Sequence, residues 1–305
     1  MPTKPYSYKE GFLLGGGLVL LGLAMQFTVG PLDWNFFHAP RNYVTLAVLV
    51  LLIAILHILR RESRIACFLG TLQAAVPSLV FTTLLTALMG LIRQNPSAGE
   101  AEGGLGLSDM LTFWPFVLTY VWMTITLGLA TLKSAQRLLP LTLKAVAVFL
   151  CHLGLFVALT TGTLGNADMQ RLKMVCSIGG TEHRVVNEEG LVKQLSVAVE
   201  LKRFIFEQSE EGAPKRFASD IVIHTRQGEH IPATVEVNRP VKVKGWRIYQ
   251  FSYDVDAGAE SRLSVLEFVR DPWLPAVYAG IYILLAGAIL MFFAPKRKRK
   301  GGIKL

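Results

Sequence analysis

Charge is scarce in this 305-residue chain: Asp, Glu, Lys and Arg together make up 17%, where soluble domains carry about 25%. Cysteine is scarcer still. Cys67, Cys151 and Cys176 form no C-x-x-C pair, which excludes a disulfide framework or a dithiol redox centre within the chain. There is no P-loop, G-x-S-x-G or H-E-x-x-H sequence, so the motif-borne phosphate, serine-hydrolase and zinc-protease chemistries have no residues to run on. The long apolar runs contain no Asp or Glu, which argues against a proton relay or cation site built on carboxylates within a bilayer. No internal repeat of the transporter kind is visible. What is abundant is apolar: 52% of residues, with a mean hydropathy of +0.43. The composition reads as a membrane protein rather than a soluble enzyme, a disordered chain or a nucleic-acid binder. An isoelectric point near 9.5 does not bring nucleic acid back, because the basic excess sits in a few short clusters.

Six stretches are long and apolar enough to cross a bilayer, which needs roughly 20 helical residues. They are Phe12–Val29, Tyr43–Leu59, Ala74–Ile92, Leu111–Leu132, Ala145–Leu164 and Trp273–Phe293. The first, although preceded by Lys4 and Lys9, lacks a small-x-small cleavage site and reads as a retained helix. Lys4, Lys9, Arg60, Arg61, Arg64, Lys133, Arg137, Lys144 and the tail Lys296, Arg297, Lys298, Arg299, Lys300 and Lys304 all fall on one side of such a topology. Glu10 and Glu62 are the acidic residues there. The opposite short loops hold Arg41 and Arg93 against Asp33, Glu100, Glu102 and Asp109. The basic side is therefore expected in the cytoplasm, with both termini. The basic tail can meet anionic lipid, although an orientation anchor explains it fully.

Residues 165–271 then form an extracytoplasmic domain between a five-helix region, 1–164, and a last helix with its tail, 272–305. The segment Ile231–Val237 alternates apolar and polar, as a half-buried strand does. Strands are also expected over Val197–Phe206, Asp220–Thr225, Val241–Lys244, Trp246–Tyr253 and Leu263–Val269, with turns at Arg226–Glu229 and Gly245. The fold expected is an α-helical membrane protein with about six transmembrane helices plus a small antiparallel β-domain, sandwich or partial barrel. The loop Asn95–Leu107, rich in Gly, Ser and Ala, reads as flexible.

Among residues that can carry chemistry, His152 stands out: it lies eight residues into the fifth apolar stretch, about 11 Å from the cytoplasmic end. An ionisable side chain there must be neutral or paired. A neutral imidazole in dry surroundings is a good axial ligand for haem iron. The plainer reading is a hydrogen bond to a neighbouring helix, through Thr82, Thr83, Thr124 or Thr126. His57, beside Arg60 and Arg61, can reach the headgroups or serve as a ligand. His38 sits in Trp34-Asn-Phe-Phe-His38, rings that either form an interfacial belt or flank a planar macrocycle. His183, His224 and His230 match no zinc spacing. Arg239, Lys242, Lys244 and Arg247 cluster about a turn, either to meet an acidic partner or as a solvated strand face.

Three segments resemble a family. Cys151-His-Leu-Gly-Leu-Phe-Val-Ala-Leu-Thr-Thr-Gly-Thr-Leu-Gly165 resembles the helix that leads into the external domain of ResB-type proteins, where a histidine precedes a small, glycine-containing outer end. Val237-Asn-Arg-Pro-Val-Lys-Val-Lys-Gly-Trp-Arg-Ile-Tyr-Gln-Phe-Ser-Tyr253 resembles the family's V-N-x-P…G…I-Y-Q…Y signature. Asp271-Pro-Trp-Leu-Pro-Ala-Val-Tyr-Ala-Gly280 is similar to the start of its last helix. The resemblance covers about residues 145–293 and implies a haem-handling subunit of a system II cytochrome c synthetase in the bacterial cytoplasmic membrane. It implies transient haem b, with His152 as axial ligand to the iron, and an accessory rather than catalytic role. Implied partners are a CcsA-type (ResC) membrane subunit bearing a tryptophan-rich motif, apocytochrome c, and a thioredoxin-like thiol reductant. Five apolar helices precede the domain here, against three usual in the family. In the signature, Pro240 ends one strand, since it cannot donate to a ladder, while Gly245 permits the next turn. Tyr249, Gln250 and Tyr253, with Arg239 and Arg247, either stabilise the domain or face a partner. The alternative to haem handling is a non-catalytic membrane scaffold whose β-domain binds a protein partner.

Overall fold

The computed structural model describes residues 6–94, 106–188, 190–208 and 214–294. Lys4, Glu100, Glu102, the tail residues Lys296–Lys300 and Lys304, and most of the Asn95–Leu107 loop lie outside them. The chain divides into two compact units, Met1–Asp168 with Trp273–Leu305, and Met169–Pro272.

The first unit is helical: α1 (Tyr8–Thr28), α2 (Arg41–Leu59), a short α3 (Arg64–Leu69), α4 (Leu72–Leu91), α5 (Trp114–Ala135), α6 (Leu143–Gly165) and α7 (Leu274–Phe293). All but α3 are long and apolar enough to cross a membrane. Their starts follow ordinary capping chemistry. Ser7 and Glu10 make a capping box at α1, and the Thr142 hydroxyl accepts from the Ala145 N–H at 3.2 Å to open α6. Exposed Leu, Val, Ile and Phe side chains cover the outer faces of these helices. That pattern suits lipid rather than water.

Helix α5 is the centre of the unit, packed against α1, α2, α4 and α6. Its interior face is threonine-rich, yet the hydroxyls are satisfied. Thr119 donates to the Pro115 carbonyl at 2.9 Å, Thr124 to Tyr120 at 2.8 Å and Thr131 to Leu127 at 2.9 Å. Back-bonding to the preceding turn lets a polar residue sit in apolar surroundings without a partner helix. Cross-helix links from this helix include Ser78 to Thr126 at 3.2 Å and Tyr120 to Thr163 at 2.7 Å.

Helices α6 and α7 form the most extensive helix pair. They approach through glycine. A Cβ on Gly280 would lie 2.5 Å from the Ala158 amide nitrogen, one on Gly154 2.6 Å from the Gly280 carbonyl oxygen, and one on Gly287 2.7 Å from the Cys151 amide nitrogen. Small residues at such a crossing let backbones meet and replace the missing hydrophobic drive between apolar helices with close packing.

The second unit is one eight-stranded antiparallel sheet: β1 (Gln170–Ser177), β2 (Thr181–Asn187), β3 (Val192–Gln208), β4 (Pro214–Thr225), β5 (His230–Glu236), β6 (Val241–Val243), β7 (Trp246–Tyr253) and β8 (Leu263–Arg270). Its order is β5-β4-β3-β2-β1-β8-β7-β6. First and last strands are therefore neighbours, with Gln170 opposite Arg270. Strands β5 and β7, far apart in that order, touch, so the sheet curls around a single core of Met174, Val199, Leu201, Ile223, Ile248, Leu266 and Phe268. The β6–β7 turn places Lys244 at φ 45° and Gly245 at φ 85°, the two left-handed positions of a two-residue hairpin. Strands β1 and β2 are additions to the strands expected from sequence, and β3 and β4 run longer. In β1, Leu172, Met174 and Cys176 alternate inward, a period-two signal that the interleaved Arg171 and Lys173 make legible in retrospect.

Two outcomes test these contacts. Gly280→Leu should force α6 and α7 apart and cost about 1–3 kcal/mol, the usual penalty of overpacking. It would be read as a lowered thermal midpoint of the full chain in detergent, with Ala279→Leu as control. In the sheet, the Arg184 guanidinium at 2.8 Å holds the Glu182 carboxyl at about 2, against an ordinary 4.5. Thr234 and Arg203 lower Asp220 in the same sense. A depressed carboxylate contributes stability that is complete above its unfolded value and is lost as pH falls through its folded one. Sheet stability should therefore drop between pH 4.5 and about 2, and drop less in Arg184→Gln, by far-UV circular dichroism.

Candidate functional site

His152 lies nine residues into α6, about 14 Å along the axis from its start, and is half-buried. Its Nδ1 is 2.8 Å from the Val148 carbonyl oxygen of its own helix. A carbonyl only accepts, so Nδ1 carries the proton and the neutral ring keeps its lone pair on Nε2. The threonines of neighbouring helices, expected as alternative partners, are not bonded to it. Thr126, the nearest in kind, bonds Ser78 and the Met123 carbonyl instead.

The ring lines a cavity of about 530 Å³ between the start of α4, the end of α5 and the start of α6. Ala75, Ala130, Ala145 and Val148 make its apolar wall; Lys133, Arg137 and Lys144 stand in the same lining. A second cavity of about 550 Å³ shares Gly70, Thr71, Lys133 and Arg137 and adds His57, Arg60 and Arg61. Neither is lined by a carboxylate among the described residues. Apolar wall, free imidazole nitrogen and uncompensated cations together suit a ligand with an apolar body, a metal or acidic proton to meet the imidazole, and anionic ends.

The other sequence-predicted residues are placed differently. The Arg60 Nη1 donates toward the His57 ring, 3.1 Å from Nε2, while Nη2 donates to Gln136 Oε1 at 2.9 Å. The same Nη1 is 3.4 Å from His57 Nδ1, so the guanidinium faces both ring nitrogens, and the three side chains tie α2 to α5. His38 is half-exposed, with Nε2 3.3 Å from Asn35 Oδ1 and Nδ1 3.6 Å from Asp168 Oδ1. Trp34 and Phe37 from its turn point elsewhere, into a 330 Å³ apolar cleft with Leu49, Phe116, Tyr120 and Leu164.

In the sheet unit Arg239 is exposed, and Arg247 and Tyr249 are half-buried. Gln250 is 2% exposed, so it has no face to offer a partner. Its Nε2 donates to the Ser252 carbonyl at 2.8 Å and to Ser264 Oγ at 3.0 Å, and Ser264 also meets Ser219 at 2.7 Å. Tyr253 packs within an aromatic cluster of Phe204, Phe206 and Phe217, with ring centroids 5.1–5.4 Å away. Lys244 is held by Gln227 at 2.7 Å. Burial pushes the Cys176 thiol up to about 12, leaving it without thiolate character.

Sequence reasoning missed a buried knot. Asp168 Oδ2 accepts from Asn42 Nδ2 at 2.7 Å and Trp273 Nε1 at 2.8 Å, and Oδ1 accepts from the Ala39 N–H at 2.9 Å. Asn42 is fully buried. Tyr43 stacks on Trp273 at 4.7 Å. The start of α2, the end of α6 and the start of α7 meet on this one carboxylate. Asn42 and Asp168 lie at the ends of apolar runs, where a lone amide or acid reads as a loop residue.

Residues 142–264 match the ResB-like family, from the cap of α6 to the beginning of β8. The Asp271–Gly280 segment lies beyond that match. The chain is 29% identical over 135 residues to cytochrome c biogenesis protein CcsB of Prochlorococcus marinus subsp. pastoris, covering 44% of this chain and 31% of that protein. It therefore spans about a third of the length of that curated relative. A solved cytochrome c haem lyase CcmF aligns over 95% of this chain and 46% of its own, at 14% identity and a TM-score of 0.39, too distant to carry an argument.

The knot gives a prediction: Asn42→Leu strips one partner from the half-buried Asp168 carboxylate and should cost about 1.5–3 kcal/mol, seen as a lowered thermal midpoint, while Asn35→Ala at the surface should not. The segment that carries His152, strands β1 to β7 and the Val237–Tyr253 signature is similar to the ResB-like family, and the two matches together support a ResB/CcsB-type protein.

Proposed function

We propose that this protein is a haem-handling subunit of a system II cytochrome c synthetase, working in cytochrome c biogenesis beside a CcsA-type membrane subunit. The observation that carries the reading is His152: a half-buried imidazole whose Nε2 lone pair is left free by the Val148 bond and lines a cavity with three cations. A porphyrin fits that donor set. Its apolar ring suits Ala75, Ala130 and Val148; its two carboxylates suit Lys133, Arg137 and Lys144; its iron suits a neutral imidazole. Haem supplies the thioether-forming vinyl groups and the redox iron, while the residues of this chain bind, orient and shield it.

The six apolar helices cross the bacterial cytoplasmic membrane in this reading. Arg60, Arg61, Lys133, Arg137 and Lys144, which share the two cavities, mark the cytoplasmic end by the positive-inside rule. The His152 cavity then opens toward the side where haem is made. The sheet unit, between α6 and α7 in sequence, then stands outside the cytoplasm, where apocytochrome c is met and a thioredoxin-like reductant keeps its cysteines reduced. His57, engaged by Arg60, and the half-exposed His38 are secondary candidates for the iron. Arg239, Arg247 and Tyr249 remain available at the sheet surface for a protein partner.

The test is co-purification with the CcsA-type partner and measurement of the Soret band. His152→Ala should lower haem occupancy at least tenfold, with added imidazole restoring part of it. Lys133→Gln with Arg137→Gln should weaken retention while leaving the iron spectrum unchanged in type. Undiminished occupancy in His152→Ala would remove this residue from the haem site.

A further inference from the structure

His224 and His230 are six residues apart and face each other across the β4–β5 hairpin as direct cross-strand partners. Their Nδ1 atoms are 2.6 Å apart and their rings lie nearly perpendicular, at 80°. On its other side, His224 Nε2 meets Glu200 Oε2 at 3.2 Å, and Glu200 Oε1 accepts from Lys202 Nζ at 2.6 Å. Glu200 is held below the ordinary carboxylate range by Lys202 and, to a lesser degree, by His224. A carboxylate can only accept, so it fixes the proton of neutral His224 on Nε2 and leaves the Nδ1 lone pair aimed at His230. The gap then contains one proton, on His230 Nδ1. That proton can move to the solvent-exposed Nε2 of the same ring, since His230 is exposed, and two lone pairs then converge on one point.

We propose that His224 and His230 form a binding site for a divalent transition-metal ion of the zinc or copper class, with Glu200 as the residue that positions His224. A carboxylate behind a ligating imidazole is the usual device for setting its tautomer and raising its basicity. Metal–nitrogen bonds near 2.0–2.1 Å in a tetrahedral site need the two nitrogens about 3.3 Å apart, a small opening for a side chain as exposed as His230. The hairpin fixes the backbone spacing, because the Thr225–Glu229 turn closes with Thr225 N–H donating to the Glu229 carbonyl at 3.0 Å. No group of three or more His, Cys, Asp or Glu side chains is arranged as a metal cage among the described residues. The pair accordingly supplies two ligands and leaves the rest to water. Lys202 is engaged by Glu200, and Lys244 by Gln227 and Glu229, so neither adds a free cation beside the ion.

The experiment titrates Zn²⁺ and Cu²⁺ into the full-length chain in detergent, without a polyhistidine tag, by calorimetry at pH 7.5. One binding event should be present in the unaltered chain and in His152→Ala, and absent from His224→Ala with His230→Ala. Each single replacement should weaken it at least tenfold and Glu200→Gln about tenfold, within the range for removing such a partner. Copper should bind tighter than zinc, and both should weaken below about pH 6 as imidazole protonates. Equal stoichiometry in the unaltered chain and the double variant, at matched thermal midpoints, overturns the assignment. Because His152→Ala retains the event, failure here and failure of the haem reading are separately visible.

Discussion

A backbone carbonyl decides which nitrogen of His152 is available. In the apolar interior of the helical unit most buried polar side chains find a partner within the protein, Thr82 Oγ1 and Trp122 Nε1 being exceptions, because leaving one unpaired costs on the order of 1–3 kcal/mol. His152 meets that requirement through the Val148 carbonyl one turn back, and in doing so exposes Nε2. The same requirement turns the hydroxyls of Thr119, Thr124 and Thr131 back onto their own helix. It also draws Asn42, Trp273 and the Ala39 amide onto the half-buried Asp168. One rule thus produces a ligand-ready ring in one place and a structural knot in another.

The two differ in what they leave over. At Asp168 three donors engage both carboxylate oxygens, and the result is a junction of α2, α6 and α7. At His152 one nitrogen is unspent, and the lining around it adds cations without carboxylates. Surplus valence next to surplus charge is what sets this cavity apart from a packing device and underlies the proposed role of His152. The His224 and His230 pair follows the same logic in the sheet: Glu200 satisfies one side of a ring and thereby directs the other.

Helix spans were legible from hydropathy alone, and residue type singled out His152 for attention. Most strands were legible too, since period-two burial writes itself into β7 and β8. The roles within the Val237–Tyr253 signature were not. Gln250 reads as either stabilising the domain or facing a partner, and its burial, with Ser252 and Ser264 completing its hydrogen bonds, decides for the first. His57 and His38 read as weaker candidates than His152, and the structure adds the neighbours that engage them, Arg60 at His57 and Asn35 and Asp168 at His38.

The sequence by itself determined the number and length of apolar helices, the charge asymmetry of their ends, the Gly245 turn and the resemblance across residues 145–293. These are local properties, fixed by period, composition and backbone preference. Tertiary structure decided which charges share a cavity with His152, that Asp168 would be a hub, that β1 would lie beside β8, and that two histidines six residues apart would converge. Each of those joins groups through space whose partners no sequence spacing specifies.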